Sequence, residues 1–268
     1  MKVHIKILLL ILLFNQLGLS AIKLPAFFSD YMVMQRDKPI IIYGYAEYEK
    51  SVIINFDGDE QEATIDKLGL FEAVFPAKTS GNTPLKLIIK GSQTIEINHI
   101  VIGDVFILGG QSNMEWPISM TNDADKEILN ADYPNIRLFT VPRNIKSEAT
   151  LQMDAGGWQA ANSESVKDFS AIGFLLGRQI HLEKGVPVGL IDNSWGGTNI
   201  MGWMPEEAFA NMPKYENLIQ EFKSNHRNDQ SVDEMRESWI TGLEKNDKGI
   251  QQNWSEAAYA KTNWQHIS

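Results

Sequence analysis

Two short stretches carry residue types that could do covalent chemistry. They are Gly109-Gly110-Gln111-Ser112-Asn113-Met114-Glu115-Trp116-Pro117 and Asn193-Ser194-Trp195-Gly196-Gly197-Thr198. A serine hydroxyl becomes a nucleophile when a base takes its proton, and backbone N–H groups beside it can hold the negative oxygen of a tetrahedral intermediate. Glycines ahead of Ser112 permit a tight turn that projects its hydroxyl. A helix starting there would leave its first N–H groups free to face a carbonyl oxygen. The second loop can add another N–H, because a glycine has no side chain to obstruct close approach. On residue types alone, small residues after strands equally make ordinary turns, and both readings stand. The pattern is Gly-x-Ser-x-Met, which departs from the Gly-x-Ser-x-Gly elbow of α/β-hydrolases.

The elements around these stretches place them at one edge. Asp104–Gly109 and Val186–Ile191 are near-continuous apolar runs, as expected of strands buried on both faces of a parallel sheet. Ligands of open α/β sheets bind at the carboxyl ends of such strands. Asp123–Asn130 reads as a helix and Ile136–Val141 as a strand. Phe169–Glu183 has helical period, with Ile172, Leu175, Leu176 and Ile180 on one side and Gly185 as its stop. Residues 104–268 are therefore expected to form an α/β layer, polar and mostly helical from Pro205 onward. Upstream, residues 22–103 read as about six short strands punctuated by Asp57-Gly58, Gly69, Ser80-Gly81-Asn82 and Gly91-Ser92. That spacing predicts a small all-β sandwich domain.

Composition removes several function classes. The 268 residues hold 34 Asp+Glu against 24 Lys+Arg, a net charge of −10, which argues against a nucleic-acid surface. Cysteine is absent, so thiol nucleophiles, Cys-ligated zinc and disulfides drop out. The five histidines (4, 99, 181, 226 and 266) form no His-Glu-x-x-His pattern, so no metal site is expected. Lys2, His4 and Lys6, the apolar run Ile7–Phe14, and small Gly18 and Ser20 before Ala21 are the three parts of a secretory signal peptide over residues 1–20. Export to a periplasm or the medium follows, with no membrane attachment after cleavage.

The block Gly109–Pro117 resembles the first motif of the SGNH (GDSL-type) carbohydrate esterases, and specifically of the sialate O-acetylesterase family. Residues 24–39 (L-P-A-F-F-S-D-Y-M-V-M-Q-R-D-K-P), 123–128, 135–142, 169–174 and 189–198 (G-L-I-D-N-S-W-G-G-T) resemble further family phrases in the family's order. The resemblance implies an SGNH-hydrolase-like three-layer α/β sandwich with a parallel sheet. It implies Ser112 as nucleophile, with the N–H groups of Ser112 and Gly197 as oxyanion hole. Asn113, Glu115 and Trp116 would line the pocket for an O-acetylated sugar, and no cofactor is implied.

The chain also departs from the family pattern. The family's Gln-Gly-Glu-x-Asn block, source of an oxyanion asparagine, does not occur, and no histidine has Asp three residues before it. The general base His and its acid Asp are thus not present in this chain. Trp264–Ser268 resembles the opening of a further domain, and the expectation is an N-terminal portion of a longer esterase, weakly active or inactive alone. The expected activity is removal of O-acetyl groups from sialic acids or related sugars. Deacetylation of another glycan such as xylan, or a non-catalytic carbohydrate-binding or scaffold role, are the alternatives.

Overall fold

The computed structural model describes residues 22–144, 150, 153–209, 212–225 and 232–255. The expected signal peptide lies outside them, as do His226 and residues 264–268. Residues 22–142 and 150–203 form one compact unit, and Met204 onward belongs to another.

The first unit opens with β1 (Ile22–Lys23), β2 (Val33–Gln35), β3 (Ile40–Ala46), β4 (Ser51–Phe56), β5 (Asp59–Thr64), β6 (Leu70–Phe75), β7 (Gly81–Lys90) and β8 (Thr94–Gly110). Then come α1 (Ser112–Glu115), α2 (Ala124–Leu129), β9 (Asp132–Thr140), β10 (Gln159–Asn162), α3 (Ala171–Lys184) and β11 (Val188–Ser194). One sheet has the order β1-β3-β6, and the larger one β10-β9-β11-β8-β7-β4-β5. Alternation decides which residues point inward. Ile40 and Ile42 on β3, Val52, Ile54 and Phe56 on β4, and Phe71, Ala73 and Phe75 on β6 are all buried, while residues between them face out. Each fully buried Phe or Ile here contributes about 1.5–3 kcal/mol of burial free energy.

The separation expected at residue 103 is bridged. β8 runs through it for 17 residues, pairing antiparallel with β7 in its first half and parallel with β11 from Asp104. Gly103 reads as punctuation in the sequence, yet it sits within the strand. A Cβ there would lie 2.1 Å from the Pro187 carbonyl oxygen, so glycine serves close backbone approach. The strands before residue 103 and the α/β strands therefore share one sheet. That sheet is mixed rather than parallel: β8 pairs parallel with β11 and β2, and β11 with β9, whereas β7, β4 and β5 join by antiparallel pairs and β10 returns antiparallel to β9.

Helix α3 covers one face of the parallel strands, and of its expected apolar side only Ile180 packs against the core. Ser170 caps it by accepting the Gly173 N–H at 3.1 Å, and Gly185 ends it in the left-handed conformation at φ 65°. Its buried residues are Ala171, Gly173, Phe174 and Gly177, whereas Ile172, Leu175 and Leu176 are exposed. The reason is volume: Leu108 and Leu190 rise from β8 and β11 into the notches left by Gly173 and Gly177. These residues, with Ile118, Ile136, Leu138, Val166, Phe169 and Val188, form the core under the helix.

The second unit holds α4 (Glu216–Asn225), α5 (Val232–Asn246) and α6 (Lys248–Gln251), matching the helical reading after Pro205. No helix among the described residues is long and apolar enough to cross a membrane.

Candidate active site

Parallel pairing of β8 with β11 runs in register from Asp104↔Val188 to Gly110↔Ser194. Both serine- and glycine-bearing loops therefore leave the sheet side by side. The Trp195 N–H donates to the Gly110 carbonyl at 2.9 Å, extending the pairing one step into the loops. Gly110, at φ 150°, turns the chain into α1, a single turn that begins at Ser112. Buried Asp192 holds the end of β11, accepting the Ser194 N–H at 3.0 Å and its hydroxyl at 2.6 Å.

The structure brings Ser112, Glu115, Gly196 and Gly197 together. A Cβ built on Gly196 would lie 3.6 Å from the Ser112 Cα and 2.2 Å from Glu115 Oε2. From standard backbone dimensions the Ser112 and Gly197 Cα atoms are thus no more than about 9 Å apart. The two glycines are required for different reasons. Gly196 is small because the serine turn and the Glu115 carboxylate fill the space where a side chain would go. Gly197 has open space around its Cα, but sits at φ 78°, which other residues adopt only at a cost.

Hydrogen bonding at the site is sparse around the serine. Ser112 is exposed, and its hydroxyl donates to the neighbouring Gln111 Oε1 at 3.3 Å. An amide oxygen accepts a hydrogen bond without taking a proton at neutral pH, so this contact does not activate the hydroxyl. Among the described residues, the backbone N–H groups of Ser112 and Gly197 donate to no group of the chain. The Gly196 N–H does: Glu115 Oε2 accepts it at 2.5 Å. Asn113 is exposed beside the serine, and half-exposed Trp116 donates its indole N–H to the Met120 carbonyl at 3.0 Å.

Neither described histidine reaches the site. His181 Nδ1 is 2.6 Å from the Val186 carbonyl oxygen, beside the start of β11, and Ser194 lies roughly 20 Å away at ~3.3 Å per residue along that strand. His99 stacks on Tyr31 at 4.8 Å, in the first half of β8 and roughly 35 Å of strand from Gly110. Among the described residues no strand pairs with the edge of β8 away from β11 beyond Gly103, and Ile107 there is 72% exposed.

Sequence reasoning missed the bond from Gly196 to Glu115 and the Asp192 anchor. The resemblance assigns Glu115 only a pocket-lining role. The one available signal was a pair of adjacent glycines, of which a single one suffices for a positive-φ turn.

A serine turn and a glycine loop leave neighbouring parallel strands at their carboxyl edge, the edge where open α/β folds place ligands. The family model for carbohydrate esterase, sialic acid-specific acetylesterase, matches residues 102–237, just over half of the chain. The chain belongs to this family of carbohydrate esterases. Sialate O-acetylesterase of Rattus norvegicus is 24% identical over 209 residues, covering 68% of this chain and 37% of the relative. Its Homo sapiens counterpart is 33% identical over 120 residues, covering 41% of this chain and 23% of the relative. The crystal structure of a carbohydrate acetylesterase from Xanthomonas citri superposes with TM-score 0.68 at 28% identity, over 72% of this chain and 45% of that one. The fold is therefore the SGNH-hydrolase-like one of carbohydrate esterases, and the matches span less than half the length of each of these relatives.

Proposed function

We propose that the chain carries the nucleophile half of a serine esterase that removes O-acetyl groups from sialic acids or related acetylated sugars. The observation that supports this best is the placement of Ser112 against the Gly196-Gly197 loop, with the Gly197 N–H engaging no acceptor among the described residues. Ser112 Oγ attacks the acetyl carbonyl and forms a tetrahedral intermediate, whose oxygen is held by the N–H groups of Ser112 and Gly197. Collapse expels the sugar hydroxyl and leaves an acetyl-serine, which water hydrolyses to acetate. The proton acceptor both steps need lies outside the described residues. Exposed Asn113 and Trp116 flank the serine on the side where the sugar would lie. Export through residues 1–20 belongs to the same reading.

The test is acetate release from an O-acetylated sialic acid by the chain and by Ser112→Ala. The reading requires release that depends on Ser112, however slow. Equal release from both proteins, or glycan binding indifferent to Ser112 with no release, would favour the carbohydrate-binding alternative. Acetylated xylan as a parallel substrate separates the two esterase readings.

A further inference from the structure

We infer that Glu115 is a positioning residue: its carboxylate clasps the Gly196 N–H and so fixes the glycine loop against the serine turn, leaving the next amide, that of Gly197, as a donor with no acceptor among the described residues. The inference rests on the esterase reading and deepens it.

Glu115 ends the single turn that Ser112 begins, so nucleophile and clasp are parts of one four-residue turn. Its N–H and that of Met114 both donate to the Gln111 carbonyl, at 3.0 and 2.8 Å, which holds the turn together. From there Oε2 crosses to the Gly196 N–H at 2.5 Å, a charge-assisted bond of the stronger kind. Beyond it, Thr198 Oγ1 donates to the Trp195 carbonyl at 2.7 Å and accepts the Trp203 indole N–H at 2.9 Å. The loop is thus tied at Trp195, Gly196 and Thr198. Gly197 lies between those ties, and among the described residues its N–H has no acceptor.

An oxyanion donor works by being fixed before the charge develops. Two adjacent peptide N–H groups of a mobile loop would share their time between orientations. Engaging one by a carboxylate removes that freedom and settles which is left. The absence of a side chain at Gly196 fits this role, because a Cβ would occupy the position of Glu115 Oε2.

The experiment reads the backbone directly and does not need fast turnover. In amide hydrogen exchange by NMR, the Gly196 N–H of the full chain should be protected. Glu115→Ala should speed its exchange by about tenfold or more, the amount that loss of ~1.4 kcal/mol of local protection gives. Glu115→Gln, which keeps an acceptor oxygen at the same reach, should retain most of the protection. Titration with acetate ion, the reaction's own product, should then shift the Gly197 amide resonance in the wild type and in Glu115→Gln, and much less in Glu115→Ala. Gly196 exchange that is fast in the wild type, or unchanged in Glu115→Ala, would overturn the clasp. A protected Gly196 with no acetate-induced shift at Gly197 in any of the three proteins would instead overturn the donor assignment, and with it the esterase reading that supplies it.

Discussion

Gly110 and Ser194 face each other as the last register pair of β8 and β11, so the chain segments after them emerge at the same height on the same sheet edge. Everything proposed for the site descends from that pairing. It sets Ser112 beside Gly196 with no need for a long or adjustable loop, and the Trp195 N–H to Gly110 bond locks the two exits together.

The two glycines of the second loop should respond differently to the same substitution. Gly196→Ala places a methyl where the Glu115 carboxylate lies, and that carboxylate ends a flexible side chain that can move aside. Stability should change little, while protection of the residue 196 amide is lost. Gly197→Ala meets no steric obstacle but must hold φ 78°, costing about 1–2 kcal/mol of stability. Thermal melts and amide exchange on the two variants check this.

Helix α3 positions the serine turn through packing. A methyl at Gly173 would come 2.1 Å from Leu108 Cδ1, two residues before Gly110. Gly173→Ala should therefore cost about 1–3 kcal/mol, as overpacking of a filled core does. Reducing Leu108 to Ala in the same chain should offset part of that loss, and a double-mutant cycle by chemical denaturation measures the coupling. Simple additivity of the two changes would contradict the packing account.

Much of this architecture was legible in the sequence. β4 and β6 fall at the residues that alternation indicates, and α3 begins and ends within two residues of its expected span. Both reactive loops were recognisable because each follows a buried apolar strand. What stayed hidden depended on contacts between distant segments. Of the apolar stripe Ile172, Leu175, Leu176 and Ile180 only the last packs against the core, because the complementary notch at Gly173 and Gly177 acquires meaning only opposite Leu108 and Leu190. Gly103 looked like a boundary, since nothing local shows that the Pro187 backbone passes beside it. The bond between Glu115 and Gly196 joins residues 81 apart and exists only in the register of β8 with β11.

His181 should be irrelevant to any esterase activity. Its ring is tied to the Val186 carbonyl at the end of β11 away from the serine. His181→Ala should lower stability by about 1 kcal/mol, for one lost hydrogen bond, and leave Ser112-dependent acetate release unchanged. Loss of that release with the fold intact would mean that the helix reaches the site in solution.

The acid limit of the fold should involve Asp104. A hydrogen bond from Arg36, with Nε 2.7 Å from Oδ1, holds its carboxyl below the ordinary carboxylate range against the opposing effect of burial, and Lys184 adds to the attraction. A carboxyl depressed in the folded state contributes stability in full above its unfolded value near ~3.9, and loses it as pH falls toward the folded value. Asp104→Asn should melt at a lower temperature than the wild type at pH 7, and the difference should shrink as the pH is lowered through 4. A gap that widens in acid would contradict the assignment.

The central claim is that Ser112 takes the acetyl group, and the intermediate itself can be caught. Serine triads without their histidine lose on the order of 10⁶ in turnover. On the proposed reading, in which neither described histidine serves Ser112, both formation and hydrolysis of an acetyl-serine should be slow, and what forms should persist. Prolonged incubation with an activated aryl acetate, an acid quench and peptide mapping by mass spectrometry would locate the label. The account predicts one acetyl group on the peptide bearing Ser112, absent from Ser112→Ala. Acetylation confined to lysines, with the Ser112 peptide unmodified in both proteins, would contradict it.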